Sequence, residues 1–237
     1  MVVAVTFALH AEFTPWRRLR SFQRFSYERV PAYLTQIGNV RVRVVLTGVG
    51  RRATTAAADR VFDDRPDVCI SSGLAGGLHE ALRVAQIVAS RTVSGHDGRS
   101  VAIDPRLLAL ALSAGASSVP LYSSPTIVVS AGEKRRLRVV ADAVDMESAV
   151  ILAESSRLGI PCIAIRAISD PSTVDLPIDL NRTLTEEGRI SPVRTIAALV
   201  RRPHAVRRLV RLGLDGHRAA TALAAFLDSY IEQLGVW

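Results

Sequence analysis

Apolar residues along this chain gather in short continuous runs instead of alternating with polar ones. The first is Val2-Val3-Ala4-Val5-Thr6-Phe7-Ala8-Leu9, and residues 161–168 form the last central one. Such runs suit strands covered on both faces, as in a mainly parallel sheet. A second run at residues 40–46, interrupted by Arg41 and Arg43, ends at Gly48-Val49-Gly50. The alanine-rich stretch 51–64, free of Gly and Pro, then reads as a helix, and Pro66-Asp67-Val68-Cys69-Ile70 as the next strand. Strand, glycine turn, helix and strand make βαβ spacing. Further strands are predicted at 85–93, 118–122, 127–129 and 141–144, and Ser71-Ser72-Gly73-Leu74-Ala75-Gly76-Gly77-Leu78 reads as a glycine-rich turn. Asp104 before Pro105 marks a helix start, and the helix predicted over 147–158 is closed by Gly159. Residues 171–190 read as irregular, followed by two or three amphipathic helices over 191–234. The pattern predicts a single α/β domain over 1–237, with a helical C-terminal tail at about 191–237 and no repeat or linker.

At 237 residues and 49% hydrophobic content, the chain buries a core without needing a disulfide or metal. Cys69 and Cys162 lie isolated in apolar runs, which predicts buried free thiols and a reduced, cytoplasmic setting. No apolar stretch approaches the roughly 20 residues of a spanning helix, and the first run has no preceding basic region. Lys134 is the single lysine among 30 basic residues, and the net charge of +8 first suggests an anionic partner. Many of the arginines fall in the tail, where Arg194, Arg201, Arg202, Arg207, Arg208, Arg211 and Arg218 accompany Val206, Leu209, Val210, Leu212 and Leu214. That places the excess charge away from the strand ends, on an ordinary surface helix or one lying on anionic lipid. With 5% aromatic residues and no reading motif, nucleic acid is disfavoured. A dinucleotide site is disfavoured because Ala53 replaces the third fingerprint glycine. Histidines 10, 79, 96, 204 and 217 have no metal-ligand spacing.

Ligands of open α/β sheets bind beyond the carboxyl ends of the strands. There this chain offers Glu12, the glycine-rich segment 71–78, the corner Asp145-Met146-Glu147 and Asp170. Each alone is as well explained by a helix cap or a solvated carboxylate. Together with Gly48-Val49-Gly50, Asp145-Met146-Glu147-Ser148-Ala149 and Arg166-Ala167-Ile168-Ser169-Asp170, over about residues 1–170, the sequence resembles the purine nucleoside phosphorylase and methylthioadenosine nucleosidase superfamily. The resemblance implies a three-layer αβα sandwich around a twisted mixed sheet. It also implies cleavage of the N-glycosidic bond of a purine nucleoside, adenine foremost, by a cytoplasmic homo-oligomer. No metal or organic cofactor is implied, and inorganic phosphate enters only as a co-substrate.

Carried over residue by residue, the resemblance makes Asp170 the general acid at N7 of the departing base, a task for a carboxyl group that holds its proton near neutral pH. Glu12 falls where nucleosidases position and deprotonate water, although His10 and Ala11 replace the usual acidic neighbours. Glu147 would accept the ribose hydroxyls, with Met146 beside the sugar, and Ser72, Gly73, Gly76, Ser169 and Arg166 complete the substrate set. Gly50 and Arg51 are candidates for phosphate, yet residues 68–72 contain no arginine, so water and phosphate both stay open as nucleophile. The segment between Val129 and Ala141 is short and lacks an aromatic residue, which suggests an open pocket able to admit a bulky 5′ substituent. Pro171-Ser172-Thr173-Val174-Asp175-Leu176-Pro177, Gly188-Arg189-Ile190-Ser191-Pro192 and Arg202-Pro203 resemble the hopanoid-associated phosphorylase-like branch, which implies adenosylhopane as substrate and a peripheral membrane contact through the arginine-rich tail. The alternatives are a methylthioadenosine/adenosylhomocysteine nucleosidase, or a nucleoside-binding protein that keeps the fold without the chemistry.

Overall fold

A computed structural model describes residues 1–27, 30–185, 187–200 and 205–236, with the side chains of 26, 27 and 200 outside that description. Arg201, Arg202 and His204 lie outside the described residues. The first apolar run forms β1 (Val2–Phe7), set between two parallel neighbours, β4 (Val40–Leu46) and β5 (Val68–Gly77). On the other side of β5 lies the parallel strand β10 (Cys162–Asp170). Alternate residues of β1 enter different cores, which is why its sequence is apolar without a break. Val3, Val5 and Phe7 pack with Trp16, Leu223 and Leu227, whereas Ala4 packs with Val45, Val61 and Ile151. The first core lies under α1 (His10–Leu19), α3 (Pro105–Ser113) and α7 (Val206–Leu234), the second under α2 (Arg51–Phe62) and α5 (Ser148–Arg157). Helices on both faces of a twisted mixed sheet are the α/β architecture expected.

The sheet also bends back on itself. β6 (Ile87–Gly95) pairs antiparallel with β10 and parallel with β8 (Ser117–Ser123). β8 pairs with the short β9 (Ala143–Asp145), and β9 returns to Gly76 and Gly77 of β5. Five strands therefore form a closed path, with β7 (Ser100–Ala102) on β6 and the ribbon of β2 (Gln23–Tyr27) and β3 (Val30–Ile37) extending beyond β4. Glycine makes this closure possible. A Cβ at Gly76 would stand 3.3 Å from Val144 Cγ1 and 3.4 Å from Asp170 Oδ2, and one at Gly77 would stand 3.3 Å from the Asp170 carbonyl oxygen. The segment expected as a turn over 71–78 is thus the end of a strand, because its glycines admit strands on both sides.

Other predictions shift in detail. Asp104 does cap α3, accepting hydrogen bonds from the Arg106 and Leu107 amides at 2.8 and 3.3 Å. α5 ends before Gly159, whose φ of +69° suits glycine. Residues 127–129 form no strand, and the tail contains two described helices, α6 (Pro192–Val200) and α7. Pattern reading passed over α1, the β2–β3 ribbon and α4 (Ala131–Leu137). α1 carries Pro15 and a run of basic residues that hide its amphipathic character, yet Phe13 and Trp16 are fully buried. Cys69 and Cys162 face one another in register on β5 and β10, and burial pushes the Cys162 thiol up to about 11. Both behave as small core residues.

One polar cluster ties α1 and α7 of the first core together. Asp228 of α7 accepts from the Trp16 indole at 3.1 Å and from Arg20 Nε and Nη2 at 2.6 and 2.9 Å. Removing it leaves the buried indole N–H without a partner. Asp228→Ala is expected to lower unfolding stability by about 1–3 kcal/mol, measured as a shift of the urea midpoint at unchanged m-value.

Candidate active site

A cavity of about 260 Å³ opens beyond the C-terminal ends of β1, β5 and β10. Glu12, Gly76, Met146, Glu147, Ser169 and Asp170 line it, and Leu9, Leu176, Leu184, Ile190 and Leu212 make its apolar walls. The walls arrive by a close clasp, in which the Val49 amide donates to the Gly188 carbonyl at 2.9 Å. A Cβ at Gly188 would stand 2.4 Å from the Val49 carbonyl oxygen, so only glycine permits the contact.

Glu12 lies in the first turn of α1, immediately after β1. Its Oε2 accepts from the Ala8 and Leu9 amides at 3.0 and 3.1 Å, and its Oε1 from the Leu74 amide of β5 at 3.2 Å. Burial raises its carboxyl above the ordinary range, outweighing the lowering by the Leu9 amide and the Arg166 charge. Gly73, at φ +142°, gives this carboxylate its room, since a Cβ there would meet Oε2 at 3.3 Å and Arg166 Nη1 at 3.4 Å.

Arg166, on β10 and 1% exposed, pairs with the buried Asp145 through Nε at 2.8 Å and Nη2 at 2.5 Å. Ser71 and Ser148 hydroxyls lie 3.1 and 2.8 Å from Nη2. Asp145 also accepts from the Ser123 hydroxyl and from the Ser148 amide, capping α5. Of the three guanidinium nitrogens of Arg166, Nη1 is the one buried without a hydrogen-bond partner among the described residues. Arg166 therefore stands behind the cavity wall beside Glu12, not in the wall as the sequence suggested.

Glu147 follows β9 at the start of α5. It accepts from the Gly50 amide at 2.7 Å and from the Met146 amide at 3.3 Å, while part of its surface opens to the cavity. Its deep seat, and then the Asp145 charge, push its carboxyl up to about 8, against the lowering by Arg166 and the Gly50 N–H. The Gly50 amide is therefore engaged by a carboxylate, and Arg51 lies 3.2 Å from His96 Nε2 and does not line the cavity. The two phosphate candidates, Gly50 and Arg51, instead border a neighbouring space together with Arg52 and Met146. Ser72 also departs from expectation, because its buried hydroxyl finds no partner among the described residues and lies deeper in β5 than the cavity-lining Leu74.

Asp170 ends β10, 13% exposed by its side chain, with Ser169 Oγ 2.6 Å from its Oδ1. Its Oδ2 accepts from the ammonium of Lys134, a residue of α4 with no solvent exposure. Sequence reading noticed Lys134 only as the lone lysine and did not place it in the site. The arginine-rich tail is closer than expected, too. Leu212 and Gly216 of α7 line the cavity, and Arg208, Arg211 and Arg218 border an adjoining space of about 910 Å³ that shares Ser169 and Asp170. Among the described residues no group of three His, Cys, Asp or Glu forms a metal site, and no helix is long and apolar enough to cross a membrane.

A closed-path mixed sheet with carboxylates at three strand ends defines a class. The family model described as the phosphorylase superfamily matches residues 3–202, and the chain belongs to that superfamily. It is accordingly an enzyme of N-ribosyl bond cleavage, a reaction class that uses no cofactor and takes phosphate only as a co-substrate. A 5′-methylthioadenosine/S-adenosylhomocysteine nucleosidase of Shewanella halifaxensis is 26% identical over 191 residues, covering 69% of this chain and 83% of that protein. The nucleosidase of that name from Campylobacter jejuni superposes with a TM-score of 0.76 at 17% identity, covering 98% of this chain and 99% of that one. A futalosine hydrolase of Helicobacter pylori superposes at 0.75 and 18% identity, with coverage of 98% and 99%.

A carboxyl raised in the folded state holds a proton that the unfolded chain releases. Its stabilising contribution is present below the ordinary value of 4.5 and is lost as pH rises through about 8. Wild-type protein is therefore expected to lose melting temperature between pH 5 and 8 relative to Glu147→Gln, whose amide oxygen can still accept from Gly50. Parallel melting curves for the two proteins across that range would remove the proposed strain at Glu147.

Proposed function

We propose that this protein is a nucleosidase, hydrolysing the N-glycosidic bond of an adenine nucleoside with an apolar 5′ substituent. One observation carries the choice of water: the buried Glu12 carboxylate and the unpartnered Arg166 Nη1 both lie within 3.4 Å of the position a Cβ would take on Gly73. A water held between them donates to the carboxylate and accepts from the guanidinium, so Glu12 can take its proton as the oxygen attacks C1′. A carboxylate whose affinity for protons is raised by burial suits that base role near neutral pH. Phosphate fits less well, because its charge would be buried against Glu12 while Arg51 lies outside this cavity.

Glu147 then holds the ribose 2′ and 3′ hydroxyls, with Met146 against the ring. Asp170, beside Ser169, protonates N7 as the bonding pair of C1′–N9 moves onto the base. The remaining cavity walls, Leu9, Leu184, Ile190 and Leu212, are apolar and so favour an alkyl or lipid group at the 5′ position. Exposed Val193 and Ile196 on α6, and Val206, Val210 and Leu214 among the arginines of α7, support a peripheral membrane contact that would present a lipid-linked substrate such as adenosylhopane. The homo-oligomer implied by the family resemblance belongs to the same reading.

The test is incubation with 5′-methylthioadenosine, adenosine and a 5′-lipidated adenosine, with and without phosphate, followed by quantification of adenine and sugar. Adenine and free sugar should appear at the same rate in both conditions, fastest from the apolar 5′ substituents. Release only with phosphate would make the enzyme a phosphorylase, and no release from any substrate would leave a binding protein. Glu12→Gln and Asp170→Asn should each lower kcat by about 10²–10⁴-fold, with smaller changes in KM.

A further inference from the structure

Behind Asp170 stands a group that the hydrolytic scheme does not use. Lys134 is wholly buried and does not line the cavity, and its Nζ meets three acceptors: Asp170 Oδ2, the Pro171 carbonyl at 2.8 Å and the Val174 carbonyl at 3.2 Å. Three N–H bonds of an ammonium thus find three oxygens. The same geometry also serves the neutral amine, which keeps two N–H bonds to the carbonyls and accepts through its lone pair from a protonated Asp170. The site is hydrogen-bonded in full on either side of one proton transfer.

Residue choice points the same way. All the other basic side chains of this chain are arginines, and Arg135 and Arg136 directly follow this position. An arginine serves an ion pair at least as well but cannot release a proton, whereas a lysine can. A salt bridge needed only for shape gives no reason for the exception.

We propose that Lys134 is a positioning residue that also supplies the proton for the leaving base. In the resting enzyme the pair is ammonium and carboxylate. One proton passes from Lys134 Nζ to Asp170, and the carboxyl passes it to N7 as the C1′–N9 bond breaks and its electrons move to the base. The carboxylate returns to its former state, the amine is neutral, and solvent restores its proton after the base departs. Water gives its own proton to Glu12, which releases it to solvent as the sugar leaves, while the lysine regains a proton through the partly exposed Asp170, so the protons balance over the cycle. The ammonium also holds the strap 171–174, which continues to Leu176 in the cavity wall, and so couples acid orientation to pocket shape.

The inference rests on the reading of Asp170 as the acid, and one set of measurements separates the two. kcat and KM for adenine release from 5′-methylthioadenosine are followed from pH 5 to 9 for wild type, Lys134→Met, Lys134→Arg and Asp170→Asn, with thermal melts on each. A lone carboxyl holds its proton only in acid solution. Lys134→Met should therefore lose about 100-fold in kcat at pH 7.5 with less than about threefold change in KM, and should regain activity as the pH falls, moving the optimum down by about one unit or more. Lys134→Arg keeps the charge but cannot supply the proton, and should stay slow across the range. A wild-type rate in Lys134→Met, a loss of the same factor at every pH in that variant, or wild-type activity in Lys134→Arg overturns the proposal. If Lys134→Met does not fold, the arginine variant decides alone. If Asp170→Asn releases adenine at the wild-type rate, the assignment of the acid fails as well; if it is inactive while the lysine variants keep the wild-type pH profile, only the role of Lys134 fails.

Discussion

The site is organised around the buried pair of Arg166 and Asp145. Neither charge could be left alone in that interior, because removing one partner strands the other without solvent. Their pairing joins β10 to β9, and Asp145 in turn caps α5 through the Ser148 amide. The start of α5 is where Glu147 sits, so its place depends on a contact made by its neighbour two residues earlier. The same guanidinium reaches toward Glu12 on the opposite side and lowers the cost of burying both glutamates.

Around that pair the carboxylates divide into two environments. Glu12 and Glu147 are surrounded by backbone amides and apolar side chains, and burial raises both. Asp170 instead faces an ammonium and a hydroxyl. The proposed division of base and acid follows these unlike surroundings. Here the separation follows from the sheet. Glu12 and Glu147 lie close to β5 and the Gly48–Gly50 turn, whereas Asp170 is reached from α4, across the end of β10.

Close backbone approach is the second constraint. Gly73, Gly76 and Gly188 each stand where a Cβ would meet a functional carboxylate or a neighbouring chain at 2.4–3.4 Å. The cavity is formed by strands and loops brought nearer than side chains allow, and its walls come from segments as remote as Leu9 and Leu212. That nearness also brings the arginine-rich helix beside the catalytic end of β10, so its charge borders the site instead of standing apart from it.

Continuous apolar runs were enough to establish buried strands and an α/β fold, because residues buried on both faces must all be apolar. Glu12, Glu147 and Asp170, picked out by resemblance, do lie together at strand ends around one cavity. Local patterning passed over α1 and α4, since Phe13, Trp16 and Lys134 are buried by contacts with distant segments and not by a regular apolar stripe. It ended β5 at Ile70 and read 71–78 as a turn, because glycine signals flexibility locally and close packing only when the neighbouring strand is known. It offered Gly50 as a candidate for phosphate, and could not show that the Gly50 amide meets Glu147, 97 positions away. Hydrophobic period and residue type are local properties, so the sequence alone could determine the buried strands and the candidate residues at their ends. Which carboxylate meets a cation, which meets only amides, and which glycine lies under a side chain depend on long-range contacts, and only the tertiary structure decided them.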